Sequence, residues 1–135
     1  MKNLIIPPKL NEGDTVAFIS ISGGRAGDED MIARYMLGKR RFEQIFNVKV
    51  VETPNALKGS EYLYEHPEKR AEDLMWALKD ESIKGIICNQ GGDDSYRVLP
   101  YIDSEKFVPH LNFQNSLSQL PLDVLYVEFQ PNFLQ

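Results

Sequence analysis

The apolar positions of this chain recur with two different periods. "TVAFIS", Thr15–Ser20, is a short β-branched run after the turn Asn11-Glu12-Gly13-Asp14. Its nearly unbroken apolarity predicts a strand buried on both faces. "VKVVET", Val48–Thr53, and "IKGIICN", Ile83–Asn89, predict a second and a third strand. Between the strands the period lengthens. In "MIARYMLGKRRFEQIF", the residues Ile32, Tyr35, Met36, Phe42, Ile45 and Phe46 form a stripe at helical spacing, with Gly38 as its weak point. In "PEKRAEDLMWALKD", Ala71, Leu74, Met75 and Leu78 stand at i, i+3, i+4 and i+7 behind Pro67, which suits a first helical position. Trp76 lies off that stripe, where it covers an edge or meets a partner. Residues 54–66 read as a loop with room for a short helical turn. "DDSYRVLPYI" restarts a helix, with Asp93 or Asp94 as its cap.

The resulting order, β-α-β-α-β-α, predicts an α/β fold: an open, mostly parallel sheet with helices on both faces and right-handed crossovers. No internal repeat or low-complexity tract interrupts it. A length of 135 residues fits one domain with a core of its own. The hydrophobic share of 42% and charged share of 26% are those of a soluble globular chain. The net charge of −5 argues against a nucleic-acid partner, and the one basic run, Lys39-Arg40-Arg41, reads as a solvated helix face. Cys88 is the single cysteine. It allows no internal disulfide, fits a reducing cytoplasm, and reads as a small core residue rather than a nucleophile. His66 and His110 lack ligand spacing, so no metal or other cofactor is expected. The opening "MKNLIIPPKL" has too short an apolar run for a signal peptide, and no stretch suits a membrane span. A cytoplasmic protein without a membrane partner is expected.

Two Gly-rich turns carry the chemistry, "SISGGRAG" (Ser20–Gly27) and "QGGDDS" (Gln90–Ser95). Both follow strands, so both should meet at the carboxyl rim of the sheet, where ligands of open α/β folds gather. Glycine lets a ligand approach the amides, so Gly91 and Gly92 could donate N–H bonds to a carboxylate, a phosphate or an oxyanion. The phosphate option is weak. "SGGRAG" is not a dinucleotide fingerprint, no Gly-Lys-Ser/Thr follows, and Asp93 and Asp94 would repel a phosphate. They suit an amine or a hydroxyl. Local chemistry equally allows Gly91-Gly92 to be only a tight turn, with Asp94 or Ser95 capping the next helix.

The stretch "IIPPKLNEGDTVAFISISGG" resembles the N-terminal signature of the LD-carboxypeptidases, serine peptidases that include muramoyltetrapeptide carboxypeptidase and the microcin C immunity peptidases. "HPEKRAEDLMWAL" and "IKGIICNQGGDDSYRVLPYID" resemble the family helix and the strand, Gly-Gly turn and helix that follow it. The "GGDDS" form looks closer to the microcin-immunity branch. The resemblance covers residues 1–106. It implies a Rossmann-like, class I glutamine amidotransferase-like N-terminal domain. It further implies a cytoplasmic, metal-free hydrolase that cleaves an amide in muropeptide, peptidyl or aminoacyl substrates, working as a homodimer. On this resemblance Gly91 and Gly92 supply the oxyanion hole, and Asp93, Asp94, Ser95, Ser22 and Gly23 line the substrate pocket.

The family's Ser, Glu and His triad is not matched. The expected nucleophile sits in a Gly-Tyr-Ser-Asp-like elbow just after the matched region, and Glu and His come from a second, C-terminal domain. Residues 107–135 read "FVPHLNFQNSLSQLPLDVLYVEFQPNFLQ" instead, without a glycine. Ser95, Ser104, Ser116 and Ser118 lack elbow flanks, and His110 and Glu128 do not match the family positions. A divergent or out-of-frame tail is therefore expected, with one strand-like run in "PLDVLYVEF", together with a chain truncated before its nucleophile and inactive alone. Exposed sheet edges would then favour self-association. A non-catalytic module that binds a peptide or amino acid is the alternative, and an unrelated doubly wound nucleotide-binding domain is a third.

Overall fold

A computed structural model describes residues 9–103. Its centre is β1, Thr15–Ile19, whose last four residues are almost wholly buried. β1 pairs in parallel with β2, Lys49–Glu52, on one side and with β3, Ile83–Cys88, on the other, giving the order β2-β1-β3. Val16 stands opposite Val50 and Gly85, and Ile19 opposite Cys88.

Alternation along β1 builds two cores. Val16 and Phe18 face α1, Ile32–Phe46, and pack with Tyr35, Val48, Val50 and Ile87. The Phe18 ring meets Phe42 edge-on at 5.3 Å. Ala17 and Ile19 face the opposite way, toward α3, Pro67–Lys79, and pack with Ala77, Ile86 and Cys88, with Leu74 and Leu78 against them. Helices thus cover both faces of a parallel sheet, the α/β architecture that the alternation predicts. Each large side chain buried in these cores contributes roughly 1.5–3 kcal/mol.

The stripe of α1 is narrower than its sequence suggests. Tyr35 is buried and Ile32 and Phe42 pack against the core, whereas Met36, Ile45 and Phe46 are exposed. Among the described residues the sheet has three short strands, and they cover only part of that helix. α1 ends at Asn47, which takes the left-handed conformation (φ 50°) and accepts the Gly13 amide at 2.7 Å. The acids before α1 do not cap it. Met31 holds the cap position, Asp30 pairs with Arg25, and the Asp28 carboxylate accepts from the amide and hydroxyl of Ser60.

The connection after β2 contains a helix, α2, Ser60–Glu65. α3 buries Ala71 and leaves Trp76 partly exposed, as the stripe predicts, but it also buries Arg70 and Asp73. After β3 the expected α-helix is a 3-10 segment, Ser95–Tyr101, with Pro100 inside it. Proline lacks the N–H that an α-helix needs. Asp94 precedes this segment without a side-chain capping bond, and Asp93 does not cap it either. The expected strand in "PLDVLYVEF" and the serines, His110 and Glu128 of the tail lie outside the described residues.

Candidate functional site

The strands end on a polar lattice. The Asn89 amide donates to the Ile19 carbonyl at 2.8 Å, which extends the β1–β3 pairing past the strand ends. The Asn89 side chain donates to the Ser20 hydroxyl (3.0 Å), and Ser20 donates to the Ala56 carbonyl (2.8 Å). The turns after all three strands are thereby tied together.

Beyond them opens a cleft of about 530 Å³. Ser22 and Gly23 line it from the first turn, and Gln90, Asp93 and Asp94 from the second. α2 adds Glu61 and Tyr64. Four of the seven site residues expected from sequence therefore share one cavity. Gly91 and Gly92 form the turn between Gln90 and Asp93, and neither they nor Ser95 contributes to the lining. Gly92 sits close to Ser22, since a Cβ there would lie 3.4 Å from the Ser22 Cβ. Ser22 is 7% exposed and its hydroxyl has no hydrogen-bond partner.

The sequence reading missed Arg70. Its side chain is 1% exposed, yet it reaches the cleft. Nη1 donates to the Ile21 carbonyl at 2.9 Å, and Nη2 stands 3.0 Å from Asp94 Oδ2 as an ion pair without the direction of a hydrogen bond. Nε has no partner. Arg97 Nη1 lies 3.3 Å from the same Asp94 oxygen, and its guanidinium lies over the Tyr64 ring. Asp94 is thus committed to two arginines, which is why it does not cap the segment that follows. Arg70 falls on the helix face that carries Pro67, Ala71, Leu74 and Ala77, but a charged residue there ordinarily reads as solvated.

Asp73 is buried and holds the loop after β2. It accepts from Thr53 Oγ1 (2.7 Å), the Asn55 amide (3.0 Å) and Asn55 Nδ2 (2.7 Å). Burial pushes its carboxyl above the ordinary range despite these donors. Burial also pushes up the Glu52 carboxyl, but hydrogen bonds from Lys39 and Tyr35 outweigh it and hold that group below the ordinary range. The Cys88 thiol is pushed up to about 11 by burial. Among the described residues no three His, Cys, Asp or Glu groups converge as metal ligands. None of their helices is long and apolar enough to cross a membrane. His66 Nδ1 lies 2.8 Å from the Tyr62 carbonyl, and among the described residues no serine is hydrogen-bonded to a histidine.

The LD-carboxypeptidase N-terminal domain matches residues 16–113. The chain belongs to this family. The LD-carboxypeptidases are serine peptidases. An MccF-like protein from Streptococcus pneumoniae, solved in complex with AMP, is 35% identical over 83% of the chain, with a TM-score of 0.62. An MccF-like protein from Bacillus anthracis is 24% identical over 77% (TM-score 0.60), and the microcin C7 self-immunity protein MccF, in complex with aspartyl sulfamoyl adenosine, is 24% identical over 79% (TM-score 0.60). At that identity the last two speak to the fold alone. The chain spans 29 to 31% of the length of these structures. No curated protein matches it.

Proposed function

We propose that this chain forms the N-terminal, substrate-facing part of an LD-carboxypeptidase that hydrolyses an amide in a peptidyl or aminoacyl substrate, and that it has no turnover by itself. The family match carries the reading. The cleft at the carboxyl ends of β1 and β3 supports it, because Ser22, Gly23, Asp93 and Asp94 meet there beside the Gly91-Gly92 turn. In this reading the Gly91 and Gly92 amides stabilise the oxyanion, and a nucleophile with its histidine base is delivered from outside the described residues. The AMP held by the S. pneumoniae relative favours an aminoacyl nucleotide over a muropeptide. A single, buried Cys88 fits a reducing cytoplasm.

A chimera tests this. Residues 1–103 replace the corresponding part of the S. pneumoniae relative, and hydrolysis of an aminoacyl sulfamoyl nucleotide is followed by chromatography. The chimera should hydrolyse it and the 135-residue chain should not. Turnover by the chain alone would show a catalytic pair within it, and a folded but inert chimera would rule out the hydrolase reading. In that event calorimetric binding of the same ligand to the chain would favour a non-catalytic binding module.

A further inference from the structure

Asp93 and Asp94 are adjacent and chemically identical, yet the fold treats them differently. Asp94 faces two guanidinium groups, Arg70 at 3.0 Å and Arg97 at 3.3 Å. Arg70 is fully buried and also grips the Ile21 carbonyl, so its cation bridges the turn after β1 and the turn after β3. A buried cation stripped of its counter-ion is strongly destabilising, so Asp94 is not released to a ligand. Asp93 is exposed on the cleft wall and makes no hydrogen bond or ion pair among the described residues. Ser22, which lines the same cleft and lies against Gly92, holds a buried hydroxyl without a partner. An unsatisfied buried hydroxyl calls for a partner, and on a cleft wall a ligand or an ordered water can supply it.

We propose that Arg70 divides the labour of the acidic pair: it draws Asp94 into the fold as a strut between the two rims, and leaves Asp93, with the Ser22 hydroxyl, to receive the ammonium group of a ligand. This rests on the reading of the cleft as the substrate site. An ammonium group offers three donors. The Asp93 carboxylate and Ser22 Oγ accept two, and the side-chain carbonyl of Gln90, on the same wall, is available for the third. Arg70 is a positioning residue in this scheme. Asp93 sets specificity for amine-bearing acyl groups over carboxylate or neutral ones.

The test is calorimetry on the 135-residue chain with two probes, aspartyl sulfamoyl adenosine, which carries a free ammonium, and AMP, which does not. The native chain should prefer the first. Asp93→Asn should remove that preference, a loss of roughly tenfold or more, with AMP affinity and Tm unchanged. Asp94→Asn should lower Tm and weaken both probes alike, and Arg70→Lys should retain more of the preference than Arg70→Met. Glu61→Gln, which alters the other unpaired carboxylate of the cleft, should leave the preference intact. A preference that survives Asp93→Asn, or that Glu61→Gln abolishes, would overturn the assignment while leaving the cleft a ligand site. If the native chain binds neither probe, the substrate-site reading fails, and the assignment with it.

Discussion

Cys88 illustrates how burial alone decides reactivity. With its thiol pushed up to about 11, almost no thiolate exists at neutral pH. The native chain should resist a disulfide-exchange reagent at pH 8 and react fully once denatured; rapid labelling of folded protein would refute the assignment to the core. Asp73 is a harsher test, because three donors depend on it. Asp73→Ala should cost about 3 kcal/mol, read as a drop in Tm of roughly 10 °C or more. Two perturbed carboxyls, Glu52 and Asp73, respond to pH with opposite sign. Glu52 is held below its unfolded value, so its contribution is complete above that value and is lost as pH falls through the folded one. Asp73 is held above, so its contribution is present in acid and fades as pH rises. Chemical denaturation between about pH 6 and pH 3 should therefore show a shallower loss of stability for Glu52→Gln than for the native chain. Cys88 and the place of the acidic pair on the rim, though not the separate roles of its members, were legible in the sequence, since a lone cysteine in an apolar strand and carboxylates after a Gly-Gly turn have few readings. Arg70 and Asp73 were not, because a charged residue on a helix is ordinarily solvated. Only tertiary partners distant in sequence, Ile21 and Asp94 for one and Thr53 and Asn55 for the other, make their burial tolerable.

At the scale of elements the strands were the most legible part. Each differs from its expected span only at the ends, where Ser20, Val48, Thr53 and Asn89 fall outside the paired ladder. Helix periodicity fared less evenly. It located α3 and α1, but it assigned Met36, Ile45 and Phe46 to a core that the three strands of the described residues do not supply. Periodicity carries no information on how wide the covering surface is. The 3-10 segment after Asp94 is a further case, since two arginines compete for the carboxylate that would have capped an α-helix. The Gly-rich first turn has a role the sequence did not disclose. A Cβ on Gly24 would lie 2.3 Å from the Gly59 carbonyl oxygen, and one on Gly27 would lie 2.3 Å from that of Leu57. Both neighbours are backbone and have little room to yield. Gly24→Ala and Gly27→Ala should each destabilise by about 3 kcal/mol or more, measured by urea denaturation, whereas Gly13→Ala, with open space around it, should cost only the left-handed backbone penalty of about 1 kcal/mol.

For the whole molecule, β2 and β3 are the outer strands of the described sheet, and α1 exposes Met36, Leu37, Ile45 and Phe46. Strand edges that find no partner among the described residues, beside exposed apolar side chains, favour pairing with another chain. Sedimentation velocity at micromolar concentration should show a dimer or larger species, and a single monomeric boundary would contradict this. The contact of the first turn with the segment around Gly59 bears on what changes of length the chain tolerates. Loops on a protein surface usually accept insertions because nothing fixes their contour. Here the backbone of residues 24–27 lies directly against that of residues 57–59, and Asp28 fastens Ser60 to the same place. The two loops therefore share one ruler: an extra residue in either would slide a carbonyl into a glycine of the other, so this pair of connections can change in length only together.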